Sequence, residues 1–150
     1  SRDAKLSRSG LTRQQAYILA SIGYEETKRK NEMPRVAGVY VNRLKRGMPL
    51  QADPTVKYAV GDFALRRVLN RHLEVDSPYN TYKYPGLPPG PICMPSIDAL
   101  DGVVDFENHD YLYFCAKDDL SGAHAFARTL AEHNRNAQAY ARALNRRGIR

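Results

Sequence analysis

The residue best suited to acid–base chemistry is Glu26, near the end of the stretch Thr12–Thr27. On a helical wheel, Leu19 and Ile22 lie within about 40° of Glu26, so an apolar stripe ends in a carboxylate. A carboxyl group that is partly withdrawn from water is harder to ionise, and its pKa rises. The sequence therefore predicts Glu26 as a proton donor. The alternative is a glutamate that frays into water or pairs with Lys30.

Two polar segments could complete a site for a neutral, hydroxyl-rich substrate. The turn QADPT at 51–55 contains Asp53, the nearest candidate for the second carboxylate that most glycoside hydrolases use. Asp53 also reads as a helix N-cap before Pro54, which would explain it without chemistry. The run YNTY at 79–82 offers aromatic faces and hydrogen-bonding groups that suit sugars, or that merely pack the loop down. His124, beside Phe126, is the one histidine that stands out as a site candidate.

The spacing of apolar residues and of start and stop signals predicts a mostly helical α+β domain with one small hairpin. Helices are predicted from Thr12 to Thr27, Pro34 to Gly47, Asp53 to Gly61, over 63–75 after Asp62, from Ser96 to Val104 and from Thr129 to Gly148. Residues 111–116 (YLYFCA) and 124–126 (HAF) predict paired strands. Residues 77–95 hold six prolines and three tyrosines, which predicts a long irregular loop. Residues 1–10 read as a linker from a missing upstream region, and residues 11–150 as one domain.

Composition and motifs exclude several classes of function. The net charge of +7 favours anionic partners, but no zinc-finger or RRM-type signature supports a nucleic-acid role. No apolar run approaches the ~18 residues of a membrane span, and the polar, basic first residues are unlike a signal peptide. A Walker loop, GxGxxG, HExxH and GxSxG are all missing from the sequence. Two cysteines and four histidines lack metal-ligand spacing, so neither a metal nor a cofactor is predicted.

Several longer motifs follow one another in a characteristic order. They are ASIGYEETKRKNEMPRVAGVYVNRLKRGMPLQADPTVKYAVG, SPYNTYKYPGLPPGPI, YLYFCA, HAF and HN. In this order they resemble the catalytic domain of the endolytic murein transglycosylase family, MltG or YceG-like, and the resemblance covers nearly the whole chain from Thr12 to Tyr140. The family pattern at the first helix reads Ala-Ser-Ile-x-Glu-x-Glu, with the second glutamate catalytic. Glu26 occupies that position here, and Tyr24 replaces the first family glutamate.

This resemblance implies a lysozyme-like domain that cleaves the MurNAc–GlcNAc β-1,4 bond without water and leaves 1,6-anhydroMurNAc ends. Glu26 would protonate the glycosidic oxygen and then accept the proton of the MurNAc 6-hydroxyl. Because the substrate supplies the nucleophile, one carboxylate can serve both steps. The substrate-binding residues that the resemblance and the polar segments nominate are Gln51, Asp53, Thr55, Tyr79, Asn80, Thr81, Tyr82 and His124.

The resemblance also implies a cellular context. Family members carry an N-terminal membrane anchor, act at the outer face of the cytoplasmic membrane, limit glycan strand length and work near peptidoglycan synthases. The present chain would itself be soluble, and its positive charge would suit peptidoglycan carboxylates or anionic lipid. Two alternatives stay open: a module that binds peptidoglycan strands without cutting them, and a basic nucleic-acid binder, which steep salt dependence would reveal.

Overall fold

The computed structural model of the chain describes residues 2–62, 65 and 68–148. In this described part, helices dominate and two short strands form an antiparallel sheet, which confirms the α+β class. The α-helices are α1 (Arg2–Leu6), α2 (Arg13–Glu26), α3 (Met33–Lys45), α4 (Asp53–Val60), α5 (Ile97–Val104) and α6 (Leu130–Arg146). The strands are β1 (Tyr113–Ala116) and β2 (His124–Ala127), and short 3-10 helices cover Ser7–Ser9, Lys30–Glu32 and Asn70–Glu74.

The core lies where α2, α3 and α5 pack against one another. Leu19 and Ile22 of α2 and Val36 of α3 are at most 1% exposed, and burying a side chain of this size contributes roughly 1.5–3 kcal/mol. Gly102 allows α5 to approach closely, because a Cβ at this position would lie 3.0 Å from the Cβ of Met33. The apolar stripe of α2 therefore packs into this core up to the turn that carries Glu26.

The start of α2 is fixed by the predicted capping box. Thr12 accepts a hydrogen bond from the backbone N–H of Gln15, whose side chain accepts one from the backbone N–H of Thr12. The predicted N-cap at Asp53 is wrong, because Ala52 occupies the N-cap of α4 and Asp53 is its first helical residue. The Asp53 carboxylate is therefore directed to another partner, described below.

The predicted helix over 63–75 is only partly testable, since residues 63, 64, 66 and 67 lie outside the described residues. Its last part is a 3-10 helix, Asn70–Glu74, preceded by an extended Leu69. Leu69 is 39% exposed, so its side chain has no core surface that would favour a longer α-helix here. Between Val75 and Ser96 the chain forms turns and bends.

The hairpin and the N-terminal segment pack against different helices. β1 and β2 pair with Tyr113 opposite Ala127 and Ala116 opposite His124, and the sheet contacts α3 and α6. At the N-terminal end, Leu6 is buried in the core and Arg8 donates a hydrogen bond to the carbonyl of Phe106. These contacts fix residues 6–8 to the body, and a connection of residues 1–10 to an upstream region stays a prediction.

In the described residues, the helices are too short or too polar to cross a bilayer.

Candidate active site

A cleft of about 570 Å³ lies between the end of α2, the turn before α4, the hairpin and α6. Five of the residues nominated from the sequence line this cleft: Glu26, Gln51, Asp53, Tyr82 and His124. They come from four separate parts of the chain, and the fold brings them to one surface. The cleft lining also contains polar side chains that were not nominated, of which Tyr40, Arg43, His133 and Asn134 are the most prominent.

Glu26 is the last residue of α2 and is half-buried at the cleft wall. Its Oε1 accepts a hydrogen bond of 3.0 Å from the hydroxyl of Tyr40, a residue that is 2% exposed. The pKa of Glu26 is raised to about 7: burial is the main cause and the charge of Asp53 adds to it, whereas the hydrogen bond from Tyr40 and the charge of Lys57 act in the opposite direction. A carboxyl group with this pKa can both give and take a proton near neutral pH.

Two features of the surroundings disfavour the ionised form of this carboxyl group. Lys30, the sequence-based alternative partner for Glu26, instead lies 3.5 Å from Asp98. Glu26 also sits at the carboxyl end of α2, where the partial negative charge of the helix disfavours a further anion. The protonated form of Glu26 is therefore favoured by burial, by Asp53 and by its position on the helix.

Asp53 and Tyr82 line the same cleft as Glu26. The Tyr82 hydroxyl donates a 2.5 Å hydrogen bond to Oδ1 of Asp53. Burial, followed by this hydrogen bond to Asp53, raises the pKa of Tyr82, so its hydroxyl stays protonated. Because Asp53 does not cap α4, its carboxylate is available to the cleft, where it holds Tyr82 and acts electrostatically on Glu26.

Gln51 enters the cleft from a strained backbone. Its φ of 50° is in the left-handed region, which costs a residue other than glycine roughly 1–3 kcal/mol. The backbone N–H of Gln51 donates to the carbonyl of Thr81, and the next N–H, that of Ala52, donates to the Thr81 hydroxyl. The loop that contains Thr81 thus holds the Gln51 turn in the conformation that exposes the Gln51 side chain to the cleft.

The other four nominated residues do not line the cleft. Thr55, Asn80 and Thr81 are at most 1% exposed, and their polar atoms bond within the protein. The two threonine hydroxyls lie 2.8 Å apart, and the Asn80 amide donates to the carbonyls of Leu73 and Val75. The Tyr79 ring packs 4.7 Å from that of Tyr58. In this structure these residues hold the proline- and tyrosine-rich loop against α4 instead of facing a ligand.

His124 lies at the start of β2, on the hairpin side of the cleft, and is held by Glu32. The two carboxylate oxygens of Glu32 accept from the backbone N–H and from Nδ1 of His124, each at 2.8 Å. The Thr27 hydroxyl donates a third hydrogen bond of 3.2 Å. Although burial by itself would raise it, the pKa of Glu32 is lowered by these bonds from His124 and Thr27.

Sequence reasoning did not find Glu32, Tyr40 or Arg43. Glu32 lies in a polar stretch, KRKNE, and is 92 residues from its partner, so no local pattern indicates it. Tyr40 falls at the helical spacing of the apolar residues of α3, which accounts for its buried ring but gives no indication of the bond that its hydroxyl makes. Arg43 is 6% exposed and donates to the carbonyls of Leu112 and Pro49.

The far end of the cleft is aromatic. Arg43 lies over the ring of Tyr113 at 5.0 Å, and His133 stacks on the same ring at 5.1 Å. Burial first, and then the charge of Arg43, lower the pKa of His133. In the described part of the chain, no group of three or more His, Cys, Asp or Glu side chains is arranged to hold a metal ion.

Comparison with known proteins extends over most of the chain. An endolytic murein transglycosylase of Bacillus subtilis is 45% identical over 127 residues, which cover 85% of this chain and 34% of that protein. One of Streptococcus pneumoniae is 36% identical over 130 residues, 84% of this chain and 23% of that protein. This chain therefore spans about a third or less of the length of these curated relatives.

Structure and family profile agree with these similarities. A crystal structure of a yceG-like protein from Listeria monocytogenes superposes with a TM-score of 0.78 at 38% identity, covering 89% of this chain and 42% of that one. Residues 1–139 match the profile of the YceG-like family. Since this match includes both α2 with its terminal carboxyl group and the hairpin that faces it, the chain belongs to the YceG-like family.

Proposed function

We propose that this chain is the catalytic part of a peptidoglycan lytic transglycosylase, which cleaves the MurNAc–GlcNAc β-1,4 bond within glycan strands and leaves 1,6-anhydroMurNAc ends. The observation that carries the proposal is the carboxyl group of Glu26, which has a pKa of about 7 and opens onto a cleft lined by hydrogen-bonding and aromatic side chains. The names of the curated relatives support peptidoglycan as the substrate.

The reaction proceeds through two proton transfers at Glu26. The protonated carboxyl group gives its proton to the glycosidic oxygen as the bond from that oxygen to C1 of MurNAc breaks. The resulting carboxylate, which the Tyr40 hydroxyl stabilises, then takes the proton of the MurNAc 6-hydroxyl as O6 bonds to C1. Glu26 ends protonated, and neither water nor a second nucleophile is consumed. The negative charge of the Asp53 carboxylate stabilises the positive charge that develops at C1.

The nominated residues divide into two groups under this proposal. Gln51, Asp53, Tyr82 and His124 line the cleft and bind sugar hydroxyl and acetamido groups. Thr55, Tyr79, Asn80 and Thr81 position the loop and turn that present the first group. The left-handed backbone of Gln51 supports this division, because such strain is retained where the surrounding structure enforces it.

The wider context is also part of the proposal. Residues 11–150 form the catalytic domain, of lysozyme-like arrangement, and residues 1–10 lead in from an upstream region that anchors the protein in the membrane. The enzyme then acts in the cell envelope, at the outer face of the cytoplasmic membrane, and limits glycan strand length near peptidoglycan synthases. Its net charge of +7 supports contact with anionic wall polymers or lipid.

Digestion of purified sacculi tests the function. The wild-type chain should release fragments with anhydro ends, identified by mass spectrometry, and Glu26→Gln should lower this rate about 10³-fold, the range of a general acid. Gln retains an acceptor for Tyr40, so circular dichroism and thermal unfolding should show an intact fold. Binding to sacculi without any wild-type product would instead favour the non-catalytic binding module. Fragments with reducing ends would contradict the anhydro product.

A further inference from the structure

The buried carboxylate of Glu32 joins the hairpin to the segment after α2 through three hydrogen bonds. Glu32 is 8% exposed, and each of its carboxylate oxygens accepts a 2.8 Å hydrogen bond from His124, one from the backbone and one from the ring. The Thr27 hydroxyl, adjacent in sequence to Glu26, donates to the same carboxylate. Glu32 thus connects the end of the catalytic helix to the opposite wall of the cleft.

This contact determines the protonation of the His124 ring. An ionised carboxylate has no hydrogen to give, so the proton in the 2.8 Å contact belongs to Nδ1 of His124. In the neutral imidazole, Nε2 then carries a lone pair and acts as an acceptor. The backbone N–H of His124 bonds the other oxygen of the same carboxylate and so holds Glu32 beside the ring, and turning the ring over would lose the bond at Nδ1.

Nε2 of His124 is the free end of this arrangement. His124 lines the same cleft as Glu26, and its side chain is 13% exposed. Within the described residues, the hydrogen bonds of His124 to Glu32 use its backbone N–H and Nδ1, and none involves Nε2. Since Glu32 engages Nδ1 and the residue lines the cleft, Nε2 is the ring nitrogen that remains for a ligand there.

We propose that Glu32 and His124 form a positioning pair, in which Glu32 fixes the ring so that Nε2 of His124 accepts a hydrogen bond from a glycan hydroxyl or acetamido N–H. The inference rests on the proposed function, whose sugar ligand it uses. His124 is the binding residue, and Glu32 acts through it. The pair is separate from the proton transfers at Glu26, so the two can fail independently.

Nitrogen NMR of histidine-labelled protein tests the ring directly. In the neutral form of the ring, Nδ1 of His124 should be protonated and Nε2 unprotonated, and a soluble glycan fragment should shift the Nε2 signal. Glu32→Gln should abolish the preference for this tautomer, because the amide can donate to Nδ1. An unprotonated Nδ1 in the wild type, or glycan binding that leaves Nε2 unshifted, would overturn the proposal even if the chain proved inactive. An absence of any glycan binding would overturn it as well.

Kinetics with a matched pair of variants test the consequence. His124→Asn keeps an amide donor for Glu32 but removes the acceptor in the cleft, so kcat/KM should fall about tenfold, as for loss of one hydrogen bond, with an unchanged melting temperature. His72→Asn is the control, since Nδ1 of His72 accepts a hydrogen bond from the backbone N–H of Leu69 and the residue does not line the cleft. A His124→Asn enzyme as active as the His72→Asn enzyme would refute the pair while leaving the role of Glu26 intact.

Discussion

Glu26 and Glu32 lie six residues apart on either side of the end of α2, yet their carboxyl groups ionise in opposite directions. The pKa of Glu26 is raised to about 7, whereas that of Glu32 is lowered. Burial opposes the charged form of both and is the largest single influence on each pKa. The groups that act against burial must also be compared.

The difference lies in the number of donors around each carboxylate. Glu26 accepts from one hydroxyl, that of Tyr40, and has the negative Asp53 nearby. Glu32 accepts from two N–H groups of His124 and from the Thr27 hydroxyl. Hydrogen bonds to the charged form replace the lost water, and three of them are enough to overcome burial. A buried carboxyl group with few hydrogen-bond donors is thus suited to proton transfer, and a buried carboxylate with three donors is suited to holding a neighbouring residue in place.

The largest effect should come from removing the charge of Glu32. Glu32→Gln replaces two charge-assisted bonds to His124 with weaker ones, so the free energy of unfolding at pH 7 should fall by about 2–3 kcal/mol. Since the folded-state pKa of Glu32 is lowered, its contribution is present above the unfolded-state pKa and is lost as pH falls through the folded-state value. Denaturant unfolding should therefore show the gap between variant and wild type closing in acid.

Glu74→Gln is the control for this measurement, because Glu74 is exposed and its substitution should change stability by less than about 0.5 kcal/mol. If Glu32→Gln lowers the free energy of unfolding at pH 7 by no more than Glu74→Gln does, Glu32 is not an ionised carboxylate held by three hydrogen bonds.

Local signals in the sequence were sufficient to predict much of the fold and to single out Glu26, but not Glu32. The capping box at Thr12 and the apolar stripe before Glu26 are patterns within one helix, so they identified α2 and placed Glu26 at the boundary of the core. The Glu32–His124 contact spans 92 residues and needs the hairpin to fold back on the helix, so no local pattern could predict it. Asp53 was misread because its helix-start signal was genuine but one position out of register.

Glu26→Gln should have a smaller effect on stability, with the opposite sign. Since its pKa is about 7 in the folded state and lower in the unfolded state, folding takes up a proton between these values and stability falls as pH rises through that window. Gln is neutral at every pH, so at pH 8 the variant should be more stable than the wild type by about 2 kcal/mol, reduced for the partial exposure of the site. Thermal unfolding should show no difference near pH 4. Coincident curves at pH 8 would mean that Glu26 is fully solvated.

The smallest expected effect is a shift of the pH profile when the hydrogen bond from Tyr40 to Glu26 is removed. Tyr40→Phe deletes the hydrogen bond that favours the carboxylate, so the pKa of Glu26 should rise. The alkaline limb of the profile, where kcat/KM falls above neutrality, should then move up by about half a pH unit.

Asp53→Asn removes a charge that raises the pKa of Glu26, so the alkaline limb should move down, and by less because Asp53 is exposed and screened. The position of the limb, not the height of the profile, is the measurement, since Asp53 also holds Tyr82. Shifts in the same direction for both variants would show that a group other than Glu26 controls the limb, whereas opposite shifts would assign it to the carboxyl group with too few donors.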